Sequence, residues 1–523
     1  MADLETRDLI NRIWRRDHTV WRSDPQEISN RLGWLTVTDH MVEQAPNLLA
    51  FASEIQQEGY RHVVLLGMGG SSLGPEVLHQ TFTTVSGYPE LLVLDSTVPA
   101  QVSNVTRQID PPRTLFLVSS KSGGTTETLS FYRYFRRLAE AAMPGGGAGR
   151  NFVAITDPGN SLEALGADDG FRRVFLNPPD IGGRYSVLSY FGLVPAALAG
   201  TDIGQLLDRA DSMREGCAAG VPGHDNPGAQ LGVLMGAMAG LGRDKVTVVT
   251  PPAIDSFGLW AEQLIAESLG KEGKGLVPVA GEPLLGPEAY GSDRFFVYLR
   301  VAGEPDAATE AAVDAIAAAG YPVARLQLRD RYDLGAEFFR WELATAVAGS
   351  ILDVQPFDQP DVQGSKDNTD GVIDRFLKDG GLPKQVDAGS LTELLTRASA
   401  GDYLAIMPYT PMGAEADGLL AELRLRVMER HRIATTLGYG PRFLHSTGQL
   451  HKGGPASGLY LQLTMTHSED LPIPGQRYGF ATLASAQAIG DFQALSNLGR
   501  RAVRVELGDD PVAGLRRLIE EIS

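Results

Sequence analysis

From residue 61 onward, short apolar runs alternate with stretches of helical spacing. The runs "HVVLLG" (62–67), "LLVLDS" (91–96), "TLFLVSS" (114–120) and "NFVAITD" (151–157) are continuous in Val, Ile, Leu and Phe, as strands buried on both faces are. Helical patterns at 74–82, 99–108 and 125–142 lie between them. The first 58 residues read as helical and carry a basic "RRDHTVWR" segment. After a helical stretch at 201–241 the alternation restarts with "KVTVVT" (245–250), "LVPVA" (276–280), "RFFVYLRV" (294–301) and "VARLQL" (323–328). A strong helical pattern follows at 333–351, then "YLAIMPY" (403–409), "LYLQLTM" (459–465) and "AVRVEL" (502–507). Alternation of this kind predicts an α/β protein with two doubly wound parallel-sheet domains, 59–200 and 242–470. A helical segment at 1–58, a helical linker at 201–241 and a C-terminal extension at 471–523, packed on the second domain, complete the organisation. Such units bind ligands between them or at the carboxyl ends of their strands.

Composition narrows the class. The chain has 523 residues, too many for one core, with 43% hydrophobic and 21% charged residues, as in globular proteins. A net charge of −18 argues against nucleic acid as a partner, and no basic tract offsets it. The longest weakly polar run, "VLSYFGLVPAALAG" (187–200), contains Pro195 and is too short to span a bilayer, so it reads as a buried helix and no membrane partner is expected. One cysteine, Cys217, and a polar start without a secretory pattern fit a reducing cytoplasmic setting. The nine histidines show no metal-ligand spacing, so no metal is expected, and the missing third glycine after Gly67 and Gly69 argues against a nicotinamide cofactor.

The strand 62–67 runs into "GMGGSSLGP" (67–75), which admits three readings. A dinucleotide fingerprint would need a third glycine where Ser72 stands, although Asp95 ends the next strand as an acidic ribose partner would. A serine-hydrolase elbow fits Gly70, Ser72 and Gly74. The third reading is a phosphate cradle, and a second stretch, "SSKSGGTTET" (119–128), supports it. That stretch also links a strand to a helix. It offers hydroxyls, Lys121, helix N-terminal amides and two glycines that let backbone approach an anion. Helix capping alone needs far fewer hydroxyls.

"GMGGSSLGP" with "SSKSGGTTET" resembles the paired signature of the sugar isomerase domains of the glucose-6-phosphate isomerase family. "GGRYSVLS" (182–189), "EQLIAESLGKEGKG" (262–275), "PFDQPDVQGSK" (356–366) and "LHSTGQ" (444–449) resemble its arginine, glutamate, lysine and histidine motifs. Together they cover residues 60–470. Details of the last two are most similar to the isomerase half of bifunctional proteins that fuse transaldolase to this activity, so relatives covalently joined to a transaldolase are implied. One departure stands out: the lysine motif precedes the histidine motif, the reverse of the usual order.

The resemblance implies a fold of two sugar isomerase domains and an aldose–ketose isomerase that interconverts glucose 6-phosphate and fructose 6-phosphate through a cis-enediolate. It implies a sugar-phosphate substrate, a homodimer, and His445 serving either its own or the neighbouring subunit's site. The phosphate is assigned to Gly70, Ser71, Ser120, Lys121, Ser122 and Thr125. Glu267 becomes the base; by pattern alone it would lie on a solvated helix with Glu262, Lys271, Glu272 and Lys274. Arg184 becomes the fixed cation beside the enediolate. Lys366 and His445 open the sugar ring, Gln263 and Gln359 position substrate, and His451 is the competing histidine. A sugar-phosphate sensor without catalysis, or an isomerase that also accepts mannose 6-phosphate, are the alternatives; a sensor would not need Glu267.

Overall fold

The computed structural model describes residues 8–304, 306–383, 388–468 and 470–522. The expected strands form, all parallel, but they assemble into three sheets. The first contains β1 (His62–Leu66), β2 (Glu90–Leu94), β3 (Thr114–Ser119), β4 (Phe152–Thr156) and β5 (Arg173–Leu176), in the order β2-β1-β3-β4-β5. Its centre is apolar on both faces: Val64 lies opposite Leu92 on one side and Phe116 on the other.

The strands expected in a single second sheet divide into two. The second sheet holds β6 (Lys245–Val249), β7 (Val277–Val279), β8 (Arg294–Val301) and β9 (Val323–Leu328), ordered β7-β6-β8-β9. The third holds β10 (Tyr403–Pro408), β11 (Ala434–Leu437), β12 (Gly458–Thr464) and β13 (Arg501–Glu506), ordered β11-β10-β12-β13. The 471–523 stretch supplies β13 and so belongs to the third sheet. Strand signals are local, and nothing in them says which strands pair. Glu282, just past β7, accepts the amide of Thr435 on β11 at 2.8 Å, and its carboxylate is paired with Arg294 of β8 at 2.7 Å. The edge strands of the second and third sheets thereby face each other instead of water.

Two strands escaped the sequence reading. β5 is a short edge strand with mostly exposed or half-buried residues, and β11 reads "ATTL", too polar to register as an apolar run. Helices follow the expected periods at Leu73–Phe82, Pro99–Gln108, Thr126–Ala142 and Leu334–Leu352. The 187–200 run forms the buried helix Tyr190–Leu198. Of the first 58 residues, the described part is helical at Leu9–Trp14 and Val37–Gln57, with turns and single 3-10 turns between. No helix among the described residues is long and apolar enough to cross a membrane.

Three further helices matter for the site. The helix Phe257–Leu269 leaves the carboxyl end of β6 and is buried almost throughout, with Trp260 and Leu264 in the core. The helix Gln363–Asp379 packs on Phe480–Asn497, and the short helix Gly448–Gly453 carries His451.

Candidate active site

The two glycine-rich turns sit at the carboxyl ends of β1 and β3, neighbours where the strand order reverses. They are tied together: Ser119 donates its hydroxyl to the carbonyl of Ser71 at 3.3 Å. Glycine is required in the first turn by close approach. Gly69 has φ +57°, and a Cβ there would lie 2.8 Å from the carbonyl oxygen of His445. A Cβ on Gly70 would lie 1.9 Å from the carbonyl oxygen of Gly183. These two contacts bring the arginine and histidine motifs against the turn.

Arg184 is 4% exposed, and its guanidinium is fully engaged. Its Nη1 lies 3.1 Å from Glu267 Oε1 and donates to Gln359 Oε1 at 2.9 Å. Nε donates to Ser268 Oγ, and Nη2 to the carbonyls of Pro356 and Asp358. The arginine, glutamate and lysine motifs therefore converge on one cation. Gln263 and Glu267 share a helix face one turn apart, as their spacing requires. Gln263 Nε2 donates both to Glu267 Oε2 at 3.1 Å and to the carbonyl of His445 at 2.8 Å. Its buried Oε1 accepts no hydrogen bond, which leaves an acceptor for a ligand.

A cavity of about 250 Å³ lies beside this cluster, lined by Ser122, Thr125, Glu127, Lys366, Lys452 and His445 among others. Lysine and histidine motifs thus meet in one cavity within one chain, despite their reversed order. The reason is spatial: loops at the carboxyl ends of parallel strands converge by strand position, not by chain order. Arg184, Gln263 and Glu267 are not in the cavity wall, but Gln263 joins them to it through His445. In the second turn, Ser120 and Thr125 hydroxyls lie 2.9 Å apart. Lys121 turns away: its ammonium pairs with Asp157 and reaches the carbonyl of Pro179 at 3.4 Å.

The sequence reading missed Glu127. Buried beneath the cavity, it accepts from Gln487 at 2.6 Å and lies 2.9 Å from His445 Nε2. Burial pushes its carboxyl up, but the His445 imidazole and, further off, Lys366 more than offset this and hold it below the usual carboxylate range. Its place inside "GTTET" was the available signal, hidden because a buried Glu and an exposed one look alike in sequence. Lys271 was also missed. It is 1% exposed in its side chain and donates to the carbonyls of Gln355 and Asp358 and to Asp358 Oδ1. Burial and the nearby Arg184 push it down to about 8.

The competing candidates fall away on geometry. His451 is 3% exposed, packed between Phe443 and Tyr460, and burial pushes it well below the usual imidazole range. Ser72 is fully buried and donates to Asp95 at 2.9 Å, so it is no exposed nucleophile. Asp95 is closed off in turn by Nε and Nη2 of Arg442, at 2.8 Å each, so it faces no ribose site. Of the helix residues expected in solvent, Glu262 and Lys271 are buried, while Glu272 and Lys274 are exposed.

Comparison with known proteins identifies the family. Residues 50–272 match the family model described as Phosphoglucose isomerase. A glucose-6-phosphate isomerase of Rubrobacter xylanophilus is 31% identical over 368 residues, covering 61% of this chain and 84% of that protein. Among solved structures, a hypothetical protein of Thermus thermophilus superposes with a TM-score of 0.61 at 27% identity, covering 71% of this chain and 96% of that one. A glucose-6-phosphate isomerase of Chlamydia trachomatis does so with a TM-score of 0.56 at 19% identity over 71% of this chain and 78% of its own, a likeness of fold. With the arginine, glutamate, lysine and histidine motifs gathered around one pair of glycine-rich turns, the chain belongs to the glucose-6-phosphate isomerase family.

Proposed function

We propose that this protein interconverts glucose 6-phosphate and fructose 6-phosphate by proton transfer between C1 and C2. The observation that carries the reading is the Glu267–Arg184 pair at 3.1 Å, bridged by Gln263 to the backbone of His445 beside a hydroxyl-rich turn. The phosphate is held by amides and hydroxyls of Ser71, Ser120, Ser122 and Thr125 and by the backbone at Gly70 and Lys121, where helix N-termini favour an anion. His445, backed by Glu127, and Lys366 exchange a proton with the ring oxygen and open the sugar. Glu267 removes a proton from one carbon and returns it to the next. The negative charge of the cis-enediolate develops near the fixed positive charge of Arg184. Gln263, with its free Oε1, and Gln359 orient the hydroxyls.

Each step uses side chains of one chain. His445 and Lys366 line the same cavity of one chain, which supports their acting on one sugar. The testing experiment is a coupled assay of fructose 6-phosphate turnover in excess EDTA and without added nucleotide other than the coupling reagents. Turnover that survives chelation is expected. No turnover would refute the reading, and loss on chelation alone would refute the metal-free route.

A further inference from the structure

The loop 442–447, which carries His445, is a thin wall. On one side Leu444 and His445 line the cavity of about 250 Å³ described above. On the other, Arg442, Phe443, Ser446 and Thr447 line a separate cavity of about 570 Å³ bounded by all three sheet units. Phe443 anchors the loop in the core against Tyr409 and His451, while polar ties fix the direction of the residues around it. One tie is Gln263, at the His445 carbonyl. Another is Arg442, whose Nε and Nη2 grip the two oxygens of Asp95, each at 2.8 Å. Asp95 is 2% exposed, follows β2, and accepts from Ser72 in the first glycine-rich turn at 2.9 Å. The Ser72 hydroxyl also lies 3.2 Å from the carbonyl of Gly69, at the point where that turn touches His445.

We propose that Asp95 and Arg442 are positioning residues that clamp the histidine loop of the third sheet to the glycine-rich turn of the first, and so set the reach of His445 to the sugar ring. The bidentate geometry suits this task. A guanidinium held by both oxygens of a carboxylate is fixed in direction as well as distance, which one hydrogen bond does not achieve. The pair is also the only ion pair among the described residues that links the loop 442–447 to a strand end of the first sheet, apart from the His445–Glu127 contact itself. Glu267 and Arg184 hang on different anchors, on the helix Phe257–Leu269 and the loop 356–359. Loosening the clamp therefore acts on ring opening and leaves proton transfer in place.

The inference rests on the isomerase reading, and its test separates the two. Asp95→Asn and Arg442→Lys are compared with wild type on fructose 6-phosphate, which must be opened, and on 5-deoxyfructose 6-phosphate, which has no O5 and stays open-chain. On the second substrate the readout is solvent deuterium entering at C1. Asp95→Asn should lower kcat on the cyclic substrate by about 10²-fold with KM changed less than about threefold, because a misplacement near 1 Å costs that much in rate. Deuterium entry into the open-chain substrate should stay within about threefold. Arg442→Lys keeps the charge but loses the fork, and should show the same split at about 10-fold; it carries the test should Asp95→Asn not fold. Equal losses on both substrates, or no loss on either, would overturn the clamp. Wild type inactive on fructose 6-phosphate would instead overturn the isomerase reading, and the inference with it.

Discussion

The first and third sheets share a strand order, β2-β1-β3-β4 in one and β11-β10-β12-β13 in the other, yet of the two only the first has glycine- and hydroxyl-rich turns at its reversal point. After β1 and β3 come glycines and hydroxyls. After β10 comes Tyr409, 2% exposed, packed edge-on to Phe443 and so close to Gly440 that a Cβ there would fall 2.5 Å from its ring. An aromatic ring stands where the first sheet has glycines and hydroxyls. The third sheet contributes instead from its edge, through the loop after β11 that carries His445. Topology offers a crevice at every reversal point, and the residues that end the strands decide whether it is used.

The largest effect should come from the residue that belongs to neither sheet. Glu267→Gln is nearly isosteric and should lower turnover by about 10²–10⁴-fold while leaving sugar-phosphate affinity intact, because binding resides in the first sheet. Calorimetric binding alongside the coupled assay tells the two apart; near-normal turnover would assign the base elsewhere. Next, Thr125→Ala in the first-sheet turn should weaken sugar-phosphate binding by about 1.5–3 kcal/mol, the range for a hydrogen bond to a charged group. Thr466→Ala, at the matching end of β12, should leave binding unchanged. Equal weakening by both would break the contrast between the sheets.

The helix Phe257–Leu269 sharpens the comparison on a smaller scale. Its Gln263–Glu267 face turns to the first sheet, while Glu262 faces Arg424 and the third. Burial, only partly opposed by Arg424, pushes Glu262 up to about 8. Between pH 4.5 and 8 the unfolded chain has released a proton that the folded chain keeps, so this group's contribution to stability falls as pH rises, by roughly 1.4 kcal/mol per unit. Glu262→Gln removes that slope. Its urea midpoint should gain on wild type from pH 5.5 to 7.5, and parallel midpoints would contradict the assignment. The smallest effect is expected at Lys121. Its ammonium is engaged by Asp157, so Lys121→Ala should weaken binding by less than Thr125→Ala does. A larger loss in isothermal titration would mean that the ammonium leaves Asp157 when substrate binds.

Much of this was legible in the chain. The α/β class, most strands and helices, and the motif residues could be read from periodicity and from two glycine- and hydroxyl-rich turns, because buried parallel strands and helix-opening turns leave local marks. The third sheet was not separated from the second, because apolar runs carry no record of their pairing partners. β11 was lost because "ATTL" owes its burial to neighbours. Asp95 and Ser72 were noticed for the wrong chemistry, and their partner Arg442 lies 347 residues from Asp95.

The sequence by itself determined which chemical groups stand at which turns: the cradle hydroxyls, the Gln263–Glu267 face, and the glycines at 69 and 70 that admit close backbone contact. Only the tertiary structure decided which of those groups meet. It placed His445 and Lys366 in one cavity in spite of their order, turned Lys121 toward Asp157, and buried His451. The physical reason is that spacing along a helix or strand is fixed by local backbone geometry, whereas contacts across hundreds of residues depend on how sheets stack and which edges face each other. The pairing of Asp95 with Arg442, across two sheets, is of that second kind.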